Sequence, residues 1–209
     1  MIPTISYLVF SHEEGASYLE PLIQKILRLK EPDDELVIVD DNSTDVSTKA
    51  VLARYEGVST LSYHALDNDF AAHKNYGKGL CTKNLIFQID GDELPHDNLI
   101  GCMKEIFLLN NSVQLIRIPR INMVQGLTDD DIKNWGWRLN DKSWINFPDY
   151  QDRVFLNCEQ IKWEGKVHEK VTGHLTNANL PEYEDYCLLH IKSIDRQREQ
   201  NEKYSRIIR

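Results

Sequence analysis

Asp90, Gly91, Asp92 and Glu93 close an apolar run, Leu85-Ile86-Phe87-Gln88-Ile89, that reads as a buried strand. Residues two apart on a strand point to the same side. Asp90 and Asp92 can therefore converge on one object at the strand's carboxyl end. Gly91 removes a side chain where a ligand would approach the backbone. Three carboxylates this close repel one another unless protons or a cation compensate. A hard divalent ion, Mg2+ or Mn2+, suits that place, because it takes oxygen ligands and keeps positions open for substrate phosphates. The plainer alternative is a polar Asp-Gly turn that ends a strand.

A second acidic strand end favours the chemical reading. Glu35-Leu36-Val37-Ile38-Val39 runs into Asp40-Asp41-Asn42-Ser43-Thr44-Asp45. In an open α/β sheet, ligands sit outside the carboxyl ends of the strands. Two acidic ends about fifty residues apart suggest one shared crevice. Ser43, Thr44 and Asp45 are better read as helix caps. Capping does not account for Asp40 and Asp41, which precede the cap.

The elements that must position these groups follow from hydrophobic period. Strands are expected at Ile5 to Phe10, Glu35 to Val39, Ser59 to Tyr63 and Leu85 to Ile89. Helices are expected between them: one carrying Leu19, Leu22, Ile23 and Ile26, one from Val46 to about Tyr55, and one from Ala71 to Leu80. A further helix starts after Pro95 with Leu99, Ile100, Met103, Ile106 and Phe107 on one face. Alternation of this kind implies an α/β fold with a mostly parallel sheet and helices on both faces. Gln114 to Ile118 reads as a strand stopped by Pro119. Residues 120 to 150 show little period and carry Trp135, Trp137, Trp144 and Tyr150, so a long substrate-facing loop is expected. Short strands at Arg153 to Leu156, Lys166 to Val171 and Leu188 to Ile191 precede a charged, surface-lying helix from Ile194 to Arg209.

The 209 residues suffice for one domain with a full core. A net charge of −9 disfavours nucleic acid as a partner. No apolar run reaches membrane-spanning length. Met1-Ile2-Pro3-Thr4 leads straight into a strand, so no signal peptide and a cytoplasmic location are expected. Cys81, Cys102, Cys158 and Cys187 lack C-x-x-C spacing, which argues against zinc and for reduced, mostly buried thiols.

Three segments together resemble the family 2 glycosyltransferases of the GT-A (Rossmann-like) fold. Val39-Asp40-Asp41-Asn42-Ser43-Thr44-Asp45 looks like that family's second-strand signature. Ala72-His73-Lys74-Asn75-Tyr76-Gly77 looks like its A-R-N-x-G segment, with Lys74 where arginine is commoner. Asp90-Gly91-Asp92 looks like its D-x-D motif. Asp149-Tyr150-Gln151-Asp152-Arg153-Val154-Phe155, Trp163-Glu164-Gly165-Lys166-Val167-His168-Glu169 and Leu189-His190 resemble a bacterial subgroup that includes lipopolysaccharide-core glucosyltransferases.

The resemblance implies one GT-A domain over 1–209, with a nucleotide-sugar half (1–110), an acceptor half (111–209), a small mixed β region and a C-terminal helix. It implies a metal-dependent, inverting transfer of a hexose from a nucleotide-diphosphate sugar, UDP-sugar favoured, to a glycan, lipid-linked or other acceptor. Asp92 and His190, with Asp90, would hold Mn2+ or Mg2+. Ser11, His12, Glu13, Asp40, Asp41, Lys74, Asn75, Asp90 and Gly91 would contact the nucleotide sugar. Inversion needs a general base. Glu169 is the first choice, then Asp149, then Asp152, and Arg153 would hold one of these carboxylates or the diphosphate. A nucleotidyltransferase of related architecture, or a silent nucleotide-sugar-binding module, would also use the acidic strand ends. The donor sugar, the acceptor and the oligomeric state stay open.

Overall fold

The first strand is buried throughout, and its alternating side chains split the core into two layers. On β1 (Ile5–Ser11), Ile5, Tyr7 and Val9 face one side and Leu8 and Phe10 the other. The first side packs on α1 (Gly15–Leu29) through Leu19, Leu22, Ile23 and Ile26, and on α4 (Asp97–Leu109) through Leu99, Ile100, Met103 and Phe107. Leu36 and Ile38 of β2 (Glu35–Asp40) and Phe87 and Ile89 of β4 (Leu85–Asp90) extend that layer. The second side is covered by Ala71 of α3 (Phe70–Leu80), and by Trp163 and Val171 of a small hairpin, β8 (Lys162–Glu164) and β9 (Lys170–Thr172). This computed structural model describes residues 2–207.

The other elements are α2 (Val46–Tyr55), β3 (Thr60–Tyr63), β5 (Leu94–Pro95), β6 (Leu115–Gln125), α5 (Asp129–Trp135), β7 (Ile145–Leu156), β10 (Asn177–Asn179), β11 (Leu188–Ser193) and α6 (Ile194–Ile207). The nine-stranded sheet has the order β3-β2-β1-β4-β7-β6-β11-β5, with β10 also paired to β6. Its β3-β2-β1-β4 half is wholly parallel. β7 runs antiparallel to both β4 and β6, and β11 is parallel to β6. The carboxyl ends of β1, β2, β4, β6 and β11 therefore share one edge, where β7 begins.

The α/β expectation holds through α4. After that, the structure corrects the sequence reading. Pro119 does not stop a strand: it lies inside β6, in register with Tyr150. On its other side, β10 covers Leu115 to Arg117 and β11 starts opposite Arg120. Pro119 thus sits in a gap between two partners, where a missing N–H costs no ladder bond. Residues 120–150 are not one loop. They hold the end of β6, the helix α5 and the start of β7. A capping box between Thr128 and Asp131 starts α5, and Gly136 at φ 65° ends it. Strand β9 starts at Lys170 rather than Lys166, and the short strands β5, β8 and β10 lay below the sequence signal. Ile208 and Arg209 of the expected last helix lie outside the described residues.

Candidate active site

The shared strand edge borders a crevice of about 1150 Å³. Gly91 fixes the close approach that shapes it. A Cβ there would stand 2.9 Å from the Phe10 carbonyl oxygen and 3.1 Å from the Glu14 carboxyl group. No other residue fits between β1 and β4 without moving backbone.

The acidic strand end divides into two clusters. In the first, Asp90 Oδ1 accepts from Gln88 and Asp90 Oδ2 from Arg153 Nη2 at 2.7 Å. Arg153 also donates to Glu93 at 2.6 Å and to Gln88. Glu93, with no exposed side-chain surface, takes a second arginine, Arg120, at 3.0 Å. Arg120 reaches on to Asp149 through two nitrogens, at 2.9 and 2.7 Å. Burial would raise the Asp90 carboxyl, but the Arg153 guanidinium overrides it and holds Asp90 well below the usual carboxylate range. Burial likewise works against Asp149, and Arg120 and Asn122 override it to hold its carboxyl low. Arginines therefore supply the positive charge that the crowded carboxylates of Asp90 and Glu93 require.

In the second cluster, Asp92 Oδ2 lies 3.3 Å from His190 Nε2, 3.5 Å from Arg196 and 3.6 Å from Lys192. The tautomer of His190 can be argued from its neighbours. Asn122 Nδ2 donates to the Asp149 carboxylate at 2.8 Å, so Asn122 Oδ1 faces His190 Nδ1 at 2.7 Å. An amide oxygen accepts, so Nδ1 carries the proton. The Nε2 lone pair of a neutral His190 then points at a carboxylate oxygen. A proton on Nε2, or a cation between the two groups, resolves that conflict. Asp92 and His190 thus fit a divalent ion as two protein ligands that leave further positions for phosphate. Among the described residues no group of three or more His, Cys, Asp or Glu side chains could hold a metal ion alone. Asp90 has both oxygens engaged by protein donors.

The nucleotide-side residues divide similarly. Ser11, His12, Glu13 and Asp41 line the crevice. His12 Nδ1 lies 3.2 Å from Asp41 Oδ2, and Asp41 Oδ1 accepts the Leu66 N–H at 2.8 Å. Glu13, at φ 60°, uses its carboxylate to accept from the Thr44 and Asp45 backbone N–H groups and the Thr44 hydroxyl. Asp40 is fully buried and takes the Ser43 N–H and hydroxyl on separate oxygens, both at 2.7 Å. Asp40 therefore holds its own loop, and both oxygens that the resemblance gave to the nucleotide are taken by Ser43. Asn75 is outside the crevice lining. Its amide exchanges two bonds with the Trp163 backbone, at 2.8 and 3.0 Å. The neighbouring Lys74 pairs with Glu169 at 2.6 Å inside the crevice. Consecutive residues of α3 thus pin the β8–β9 hairpin and the carboxylate it carries.

Asp152 is also away from the crevice, bonded to Arg117 at 2.8 Å and to the Val171 N–H at 3.3 Å. Arg153 holds Asp90 and Glu93, not Asp149 or Asp152. Glu14, Arg120, Asn122, Lys192 and Arg196 were missed in the sequence. Lys192 had a usable signal, since it lies two residues beyond His190 on one strand.

The family model "Glycosyl transferase family 2" matches residues 6–159. The chain belongs to glycosyl transferase family 2. No curated protein matches it. Among solved structures, this family 2 chain resembles S. aureus TarS 1–349 with a TM-score of 0.60 at 13% identity, covering 90% of this chain and 60% of that one. The complex of TarS 1–349 with UDP-GlcNAc gives 0.61 at 13% identity, covering 90% and 58%. The chain therefore spans about three-fifths of the length of TarS 1–349. At this identity the likeness establishes the fold, and the GT-A architecture expected for a family 2 member is the one observed. Glu169, His190, Lys192 and Arg196 all lie beyond the matched residues. No described helix of this family 2 chain is long and apolar enough to cross a membrane.

Proposed function

We propose that this chain transfers a hexose from a nucleotide-diphosphate sugar to an acceptor hydroxyl, with inversion at the anomeric carbon. The observation that carries it is the Asp92–His190 pair, whose facing oxygen and nitrogen would both be satisfied by a cation at the crevice edge. Residues 1–110 would take most of the nucleotide, beside His12 and Asp41, and residues 111–209 most of the acceptor. UDP is favoured as the nucleotide, in keeping with the UDP-GlcNAc bound by the structurally similar TarS. A cell-surface glycan, as in the lipopolysaccharide-core subgroup, is the acceptor class the motifs favour.

Asp92 and His190 would hold Mn2+ or Mg2+, which as a Lewis acid offsets charge on the departing diphosphate. The acceptor oxygen bonds to the anomeric carbon as the bond to the phosphate oxygen breaks, and the electron pair leaves with the nucleoside diphosphate. A base must take the acceptor proton. Glu169 suits this role better than Asp149. Asp149 already accepts four hydrogen bonds, from Arg120 twice, Asn122 and Gln151. Glu169 lines the crevice with Lys74 as its ion-pair partner. Lys74 orients it through Oε1, and one oxygen remains for the acceptor.

The test is calorimetry with UDP-, GDP- and CMP-sugars, in Mn2+ and in EDTA, followed by transfer assays on variants. One nucleotide class should bind with metal dependence. Glu169→Gln should keep donor binding and lose transfer by roughly 10²–10⁴-fold, the usual contribution of a general base. Binding of no donor would overturn the reading, and full transfer by Glu169→Gln would overturn the base assignment.

A further inference from the structure

Five lysines and arginines line the crevice: Lys74, Arg120, Arg153, Lys192 and Arg196. Three of them are closed. Lys74, Arg120 and Arg153 each meet a carboxylate at hydrogen-bond distance, at 2.6, 2.7 and 2.6 Å. Lys192 and Arg196 differ. The Lys192 ammonium lies 3.6 Å from Asp92 and donates to the neutral Gln200 amide at 2.5 Å. The Arg196 guanidinium lies 3.5 Å from Asp92 and 3.6 Å from Glu14. Among the described residues, neither cation reaches a carboxylate at full hydrogen-bond strength.

These two cations are nonetheless held in place. The Lys192 side chain is 4% exposed, and Arg196 lies over the Tyr18 ring with its guanidinium carbon 4.7 Å from the centroid. A buried cation without a close anion is costly, and an incoming anion relieves that cost. Both side chains face the oxygen of Asp92 that faces His190. Both therefore border the edge of the crevice that the donor reading gives to the diphosphate. Arg196 also offers a planar fork suited to two phosphate oxygens.

We propose that Lys192 and Arg196 are the chain's own diphosphate-gripping cations, and that Arg196 exchanges its long contacts to Asp92 and Glu14 for phosphate oxygens when a nucleoside diphosphate enters. This rests on the donor reading above and adds to it a role for α6. The helix brings Arg196 and Gln200 to the crevice, and its Arg198 is tied to Asp131 of α5 at 3.1 Å. It is a wall of the donor site rather than a solvated appendage.

Calorimetry with UDP, uridine and inorganic pyrophosphate, each in Mn2+ and in EDTA, tests the proposal on wild type, Arg196→Gln, Arg196→Lys and Lys192→Gln. Arg196→Gln should weaken UDP and pyrophosphate by about 10–100-fold, the fold-change for one or two charge-assisted hydrogen bonds, and leave uridine within about twofold. The loss should persist in EDTA. Arg196→Lys should fall between, and thermal unfolding should show both Arg196 variants folded. Arg196 is partly exposed, so its variants read out the proposal even if the buried Lys192→Gln fails to fold. Unchanged UDP affinity in folded Arg196→Gln, or a parallel loss of uridine, overturns the subsite alone. A wild type that binds none of the three probes, nor any nucleotide sugar, overturns the donor reading and the subsite with it.

Discussion

Asp90 and Asp92 leave the same strand two residues apart and enter opposite surroundings. Asp90 joins a closed cluster in which Arg153, Arg120, Glu93 and Asp149 meet at 2.6–3.0 Å. Asp92 joins an open one, with His190, Lys192 and Arg196 all at 3.3–3.6 Å. A closed cluster satisfies its charges internally and fixes geometry. An open cluster keeps charge in reserve for a ligand. On the proposed donor reading, the difference separates the part of an acidic motif that holds the crevice in shape from the part that would meet substrate, a distinction that residue type alone does not make.

The sharpest way to break the closed cluster is Arg153→Met. Arg153 is 3% exposed and is the link between Asp90 and Glu93. Its loss leaves the buried Glu93 and the partly buried Asp90 poorly compensated, and breaking such a pair typically costs about 3–5 kcal/mol. For a chain of this size the melting temperature should fall by roughly 10 °C in a thermal unfolding scan. A melting point within about 2 °C of wild type would show that the cluster does not hold the fold. The open cluster should respond in binding rather than stability. Asn122→Ala removes the acceptor that sets the His190 tautomer. If His190 holds the metal as proposed, Mn2+-dependent UDP affinity should drop by about 10–100-fold, the usual effect of removing an outer partner of a metal-ligating histidine, while the melting point moves little. Equal losses in Mn2+ and EDTA would show that Asn122 acts through something other than that histidine.

How much of this was legible in the sequence follows the same division. The parallel half was legible because β1, β2 and β4 are buried on both faces and the helices that cover them carry apolar stripes. Of β6 and β7, only the outer pieces were legible, up to Ile118 and from Arg153, and the crevice-lining stretches were not. Arg120, Asn122, Asp149 and Gln151 face the crevice, so the alternation that marks a strand was overwritten by site residues. Pro119 looked like a stop because only the topology shows that its missing donor meets no partner. Asp92 and His190 were readable through motif and strand end. Asp152 could have been set aside, since it neighbours Arg153 on one strand and adjacent residues face opposite ways. Arg196 had no usable signal, because α6 is polar around its whole circumference. Nothing in its pattern says which side meets the protein.

The mildest test on the closed cluster is Asp149→Asn, which also bears on the base. The amide keeps the shape and one acceptor oxygen, so the loss at neutral pH should be about 1.5 kcal/mol, the low end for hydrogen bonds to a charged group. Its pH dependence has a definite sign. Asp149 is held below its unfolded value by Arg120 and Asn122 against the pull of burial. The folded state therefore binds fewer protons than the unfolded chain, and the contribution is present above the unfolded value near pH 4 and lost as pH falls through the folded one. Urea unfolding followed from about pH 7 down to about pH 3 should show wild type losing stability more steeply than Asp149→Asn, with the two curves approaching at the acid end. Parallel curves would mean that Arg120 is satisfied by Glu93 alone. Transfer activity should persist in Asp149→Asn within a few-fold, because both oxygens of Asp149 already accept hydrogen bonds, three on Oδ2 and one on Oδ1, while Glu169 keeps an oxygen with none. Loss of transfer with donor binding intact would place the base on the closed cluster and remove the functional half of the contrast.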